Sequence, residues 1–289
     1  MPTPIDGLGR LRHVNTFVHP IAFQFGPLTV TWYGIMVAMG FIAGLWTASR
    51  RGPRGGIAPD KVLDLGPWLI IGAIIGARFL YVVSYWHEEF AGRPTEIFKV
   101  WRGGLVFYGG FIGACLACIL YARLKKVPLW KLADVMAPSI PLGSAFGRIG
   151  CLMNGCCYGR ECHSWWAITF PSGVPHPAPS GVPLHPTQLY DSLLNLAFYF
   201  FLAWFFGRRK FDGQVFAVFL LGYALIRSFV EIFRGDYPQH YLGGWATPAH
   251  LVSIGIFIIG LVLMVVLPRL SPAPQPALPK KPAENRSRV

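Results

Sequence analysis

GQVFAVFLLGYALIRSFVEIF, residues 213–233, carries only two charges, Arg227 and Glu231. A helix needs roughly 20 apolar residues to cross the hydrocarbon of a bilayer, and this stretch is long enough. Arg227 and Glu231 stand four residues apart, on one helical face. Tyr223 precedes Arg227 by four, and Arg234 follows Glu231 by three, so all four lie along one stripe. An arginine at bilayer depth costs about 2.5–3.5 kcal/mol and faces a bundle interior or a wet cavity. The pair therefore either locks two helices together or lines a polar cavity for an anion. A guanidinium fork suits paired phosphate oxygens better than an ammonium does.

The rest of the chain has the same character. Of its 289 residues, 53% are hydrophobic and 13% charged. Soluble domains carry about a quarter charged residues, so a soluble globular enzyme is excluded. The 22 Phe, 10 Trp and 11 Tyr exclude disorder for most of the chain. Residues 22–45, 65–86, 103–122, 133–148, 188–207 and 245–267 are further apolar stretches. With residues 213–233 they predict an all-α integral membrane protein of seven transmembrane helices.

Charge sets the expected orientation. The connections after spans one, three and five, with the C-terminal tail, hold 16 of the 26 Lys and Arg, and the opposite side holds 8. By the positive-inside rule the N-terminus lies outside and the C-terminus in the cytoplasm. The net charge of +13 then belongs to basic loops at an anionic leaflet. No zinc-finger spacing, RNP-type motif or long basic helix points to nucleic acid.

The expected organisation has three parts. Residues 1–19 form an N-terminal periplasmic segment with no cleavable signal peptide, because charges interrupt any apolar core there. Residues 20–268 form the membrane domain, with a Pro-, Gly- and His-containing periplasmic loop at 149–187. Residues 269–289, rich in Pro, Lys and Arg, cannot build a core and read as a disordered cytoplasmic tail.

Two more arginines fall in or beside apolar stretches. Arg148 follows the fourth span in GSAFGRIGCLMNGCCYG, residues 143–159. Its glycines allow close backbone approach and free amides to face an anion. Arg78 lies inside the second span. Three arginines from different spans, with one Glu, point to a phosphate site; Arg78 equally suits capping of a neighbouring carbonyl.

Cys115 and Cys118 sit at helical spacing in the third span, as small apolar packers. Cys151, Cys156, Cys157 and Cys162 cluster after the fourth span. Their spacing lacks the C-x2-C knuckle of zinc sites. On the oxidising side of a membrane they favour one or two disulfides pinning the loop.

Five motifs stand in one order: WYGIMVAMGF (32–41), RGGLVFYGG (102–110), GRIGCLMNGCCYG (147–159), HPTQLYDS (185–192) and GYALIRSFVEIFR (222–234). In this the chain resembles bacterial prolipoprotein diacylglyceryl transferases, from about residue 20 to 267. The resemblance implies a multi-pass protein of the bacterial inner membrane. It implies transfer of the diacylglyceryl group of phosphatidylglycerol to the lipobox cysteine thiol of a prolipoprotein, with glycerol 1-phosphate leaving. Partners are then phosphatidylglycerol, the prolipoprotein signal peptide and membrane lipids. No metal or organic cofactor is implied. The nucleophile belongs to the substrate, so the enzyme must chiefly stabilise charge on the leaving phosphate.

Carried onto this sequence, the resemblance assigns Arg148 and Arg227 to the phosphate and Glu231 to orienting an arginine. Tyr33, Asn154, Gly159, Tyr190, Tyr223 and Arg234 match further phosphatidylglycerol-binding motif positions. Tyr108 stands where many members have a His thought to activate the thiol. A phenol is mostly protonated at neutral pH, which leaves it a hydrogen-bond donor to phosphate or thiol. Base duty then passes to Glu231, Asp191 or His185, or the thiol ionises unaided. Cys151 and Cys156 also depart from the common Asn and Glu. These departures leave room for a diverged paralogue that binds or transports lipid, or for a membrane redox protein built on the cysteines. A two-tailed lipid is expected to enter sideways between helices, and the peptide from the outer side.

Overall fold

The computed structural model describes residues 14–15, 20–26, 28–100, 103–172, 177–236 and 247–270. The expected N-terminal segment, apart from Val14 and Asn15, lies outside them, as do Arg102, residues 237–246 and the tail from residue 271.

The uncharged run that begins at residue 20 does not start as a helix. Strand β1 (Val14–Asn15) is followed by β2 (Ile21–Phe25) and β3 (Leu28–Thr31), and β2 and β3 form an antiparallel hairpin. Gly26 takes the positive φ of 58° that the turn between them needs. Helix α1 (Trp32–Arg51) begins only where the Thr31 side chain accepts the Gly34 amide at 3.2 Å. It runs past the expected end at 45, and Arg50 and Arg51 complement its C-terminal dipole.

Helix α2 (Pro59–Ser84) has Pro59 at its first position and Asp60 in its first turn. It pairs closely with α3 (Phe107–Leu124). A Cβ at Gly113 would lie 2.1 Å from the Gly72 carbonyl oxygen, and one at Gly109 2.3 Å from that of Gly76. Only glycine permits this backbone contact.

The expected fourth span, residues 133–148, is divided. A short helix α4 (Leu129–Met136) ends before Pro138, and α5 (Ser139–Asn154) follows. Proline lacks the amide a continuous helix would use. Helix α5 lies antiparallel along α1: Ser139 meets Thr47 and Arg51, whereas Gly150 packs on Tyr33. Arg148 is therefore inside a helix, just past its midpoint and close to the α1 N-terminus.

A small sheet follows α5. Strand β4 (Ile168–Thr169) pairs in parallel with β1 and antiparallel with β5 (Pro183–Leu184). Helices α6 (Thr187–Phe206), α7 (Gln214–Phe233) and α8 (Pro248–Leu270) complete the fold. Helix α6 packs on α5 and α7, and α7 packs on α8. Buried Asp134 of α4 accepts the Gly213 and Phe216 amides at 2.8 and 3.0 Å, capping α7.

Among the described residues, six helices (α1, α2, α3, α6, α7 and α8) are long and apolar enough to cross a membrane. Helix α5, at 16 residues, is about 24 Å long and falls short by length. Ile42, Ile75, Phe111, Leu193 and Leu225 stand exposed on the bundle surface. So much outward apolar surface suits contact with lipid. The architecture is that of a multi-pass helical membrane protein.

Candidate active site

A cavity of about 470 Å³ lies where α1 and α3 begin and α5 and α7 end. Tyr33, Tyr108, Arg148, Asn154, Tyr223, Arg227 and Arg234 all line it. Seven of the ten sequence-predicted residues thus come together from four helices and the chain just beyond α7. Phe107, Ala249 and Val252 supply an apolar wall.

Each arginine is held by a protein carboxylate. Arg148 Nε lies 2.6 Å from Asp191 Oδ2, and Asn195 Nδ2 donates to Asp191 Oδ1 at 2.6 Å. Arg227 Nη1 donates to Glu231 Oε2 at 2.5 Å. Arg234 forks onto Asp236 at 2.9 and 2.7 Å. Only one face of Arg148 and Arg227 is engaged in this way, and both side chains still border the cavity. Buried charges survive when paired and hydrogen-bonded, and a fixed fork is what bidentate phosphate recognition needs.

Glu231 lies behind the lining, 2% exposed. Its Oε1 accepts the Thr247 hydroxyl at 2.7 Å, and its Oε2 lies 3.8 Å from Arg234 Nη1. It therefore joins two arginines through one carboxylate. Gly159 and Tyr190 are placed elsewhere. Gly159 bridges to Arg234 through the backbone and packs on His185, where a Cβ would come within 2.5 Å. Tyr190 shares a 3.2 Å hydrogen bond with His185 Nδ1. Burial holds His185 below the ordinary histidine pKa.

Arg78 does not join the group. Its guanidinium donates to the carbonyls of Glu96, Ile97, Gly103 and Gly104 at 2.6–3.2 Å. It fastens the loop ahead of α3, and a separate cavity of about 590 Å³ lies under that loop.

The expected disulfides are not formed: all six cysteines are free thiols. The loop after α5 is held by backbone pairing instead, with the Cys162 amide on the Pro183 carbonyl at 2.9 Å. Cys151, Cys156 and Cys157 border the cavity, and their sulfurs lie within 4.8 Å of one another. Hydrogen bonds from the Cys151 and Cys156 thiols hold Cys157 below the ordinary cysteine pKa; burial opposes this, and Arg148 and Arg234 reinforce it.

Sequence reading missed several parts of the site. Thr187 Oγ1 and Gln188 Nε2 each donate at 2.8 Å to the carbonyls of Cys157 and Cys156. The HPTQ motif thereby fixes the cysteine loop. Asp236 and Thr247 carried no motif signal. Ser253 Oγ borders the cavity, buried and without a hydrogen-bond partner among the described residues.

A multi-pass bundle with carboxylate-paired arginines gathered round one cavity defines a helical membrane protein with a polar, arginine-lined site. Comparison with known proteins specifies the family. The family model described as prolipoprotein diacylglyceryl transferase matches residues 20–266. A Vibrio cholerae protein named phosphatidylglycerol–prolipoprotein diacylglyceryl transferase is 38% identical over 261 residues, covering 89% of this chain and 93% of that protein. The Geobacter sulfurreducens protein of the same name is 38% identical over 263 residues, covering 89% and 98%. The Nitratidesulfovibrio vulgaris one is 38% identical over 253 residues, covering 86% and 93%. The chain belongs to the prolipoprotein diacylglyceryl transferase family.

Proposed function

We propose that this chain transfers the diacylglyceryl group of phosphatidylglycerol to the lipobox cysteine of prolipoproteins, in the bacterial inner membrane. The cavity shared by Arg148, Arg227 and Arg234 is the observation that carries this reading. The incoming thiolate attacks the glyceryl carbon, the C–S bond forms, and the C–O bond to phosphorus breaks. The bond's electrons leave on the phosphate, which departs as a glycerol phosphate dianion. Arg148 and Arg227 face that growing charge, the place where fixed donors lower a barrier most. Arg234 adds to the field. Glu231 and Asp191 position the guanidiniums. Tyr33, Tyr108, Asn154, Tyr223 and the unpartnered Ser253 hydroxyl offer polar contacts to the head group.

The lipid enters between α3 and α8. Phe107 and Tyr108 are exposed at the start of α3, and α3 makes no extensive contact with α7 or α8. Arg51, Arg54 and Arg209 gather at the opposite end, where Arg209 donates to the Arg54 carbonyl. By the positive-inside rule that end is cytoplasmic. The site then opens outward, α4 and α5 together make the fourth crossing, and the N- and C-termini lie on opposite sides.

Complementation of a bacterium depleted of its own transferase tests this reading. Rescue by the intact chain, with none by Arg227→Ala at equal membrane abundance, is expected. Failure of the intact chain to rescue favours the lipid-binding paralogue.

A further inference from the structure

The three thiols at the cavity are arranged as ligands. Cys151 sits on the last turn of α5. Gly155, at φ 68°, reverses the chain, and the Cys156 amide returns to the Cys151 carbonyl at 3.1 Å. Cys157 is held at φ 58°, which a residue with a Cβ rarely adopts. Such strain persists only where the surroundings impose it, and it concentrates at ligand clamps. Here Thr187 and Gln188 impose it through the two carbonyls they bind. The result brings three sulfurs within 4.8 Å of one another beside the cavity.

We infer that Cys151, Cys156 and Cys157 bind a zinc ion whose fourth position takes the lipobox thiol. This rests on the transferase reading and supplies what Tyr108 does not, an activator of the nucleophile. Thiolates select soft or borderline metals, and zinc is redox-inert. A tetrahedral zinc with sulfurs at about 2.3 Å needs them about 3.8 Å apart, so the cluster closes by at most about 1 Å. Three protein ligands with one free position is the catalytic arrangement, whereas structural sites use four. Cys162 is not part of the cluster. Three thiolates on a dication leave one negative charge, and Arg148 and Arg234 border the same cavity to offset it.

The step balances without an oxidant. The lipobox thiol binds zinc as thiolate and its proton passes to water. The bound sulfur attacks the glyceryl carbon, and the C–O electrons leave with the phosphate. The product is a neutral thioether, a weaker ligand, which departs; the metal keeps its oxidation state.

The test uses the full chain in phosphatidylglycerol-containing micelles. Zinc is supplied, excess is dialysed away, and bound metal is measured. About one zinc per chain is expected. Cys151→Ser and Cys157→Ser should weaken binding by at least the tenfold that even outer-shell changes cost, whereas Cys162→Ser should leave it intact. Cobalt(II) in place of zinc should show thiolate charge-transfer bands. These should change with a Cys-lipobox peptide and stay unchanged with its Ser counterpart. This spectral readout stands apart from turnover, so it supports or overturns the site even if no lipidation occurs. Lipidation at full rate by protein free of zinc, or an active protein with a disulfide among these three, overturns the inference and leaves the transferase reading intact. Metal binding with no spectral response to the Cys peptide overturns the assignment of the fourth position.

Discussion

Arg148 and Asp191 form an ion pair that a structural role and a catalytic role would both require, and a double substitution separates the two. Arg148→Ala removes one fixed donor from the leaving phosphate. Loss of one such donor costs about 2.7–4 kcal/mol, or about a hundredfold to a thousandfold in kcat. It also leaves Asp191, 5% exposed, with Asn195 at 2.6 Å as its one side-chain hydrogen-bond partner among the described residues. That orphaned carboxylate costs about 3–5 kcal/mol of stability. Asp191→Asn in the same chain removes the buried charge and should restore much of the thermal stability. If Arg148 serves the phosphate, the double variant regains stability and stays about a hundredfold slow. Lipidation of a lipobox peptide in phosphatidylglycerol vesicles gives kcat, and thermal unfolding of the same samples gives stability. A double variant that recovers both would refute the phosphate assignment and make the pair a helix lock.

Gly113→Ala places a Cβ 2.1 Å from a backbone oxygen, so it should destabilise by about 1–3 kcal/mol; Gly255→Ala, with nothing within 4 Å, should not lower the melting temperature. Because the folded His185 pKa is depressed, its contribution is complete above the unfolded value near 6.5 and lost as pH falls through the lower folded value. Melting temperature should therefore drop on acidification, and His185→Asn should flatten part of that drop. Arg78→Gln loses most of four carbonyl contacts; it should lower thermal stability and slow lipidation less than Arg148→Ala does, measured on the same vesicles.

The spans were legible where apolar length alone decides, as in α7 and α8. They were misjudged where local chemistry intervenes. Residues 21–31 are as uncharged as a span, yet a turn at Gly26 and a Thr31 cap make them a hairpin and a helix start. Pro138 divides α4 from α5, which apolarity cannot show. In the site, the i, i+4 spacing of Arg227 and Glu231 foretold their bond. Arg148 and Asp191 lie 43 positions apart in sequence, and only the packing of α5 on α6 brings them together. Arg78 was ambiguous because a buried guanidinium satisfies backbone carbonyls as readily as phosphate. The cysteines suggested disulfides by compartment, whereas their shared cavity wall emerges only from the left-handed turn at Gly155 and Cys157.

Mass spectrometry of a lipobox peptide incubated with the purified chain and phosphatidylglycerol, with released phosphate ester assayed in parallel, decides whether the chain is a transferase. One diacylglyceryl group should appear on the cysteine sulfur for each glycerol 1-phosphate set free, with neither product from Arg227→Ala. An unmodified peptide beside intact lipid, or modification that persists undiminished without Arg227, would contradict it.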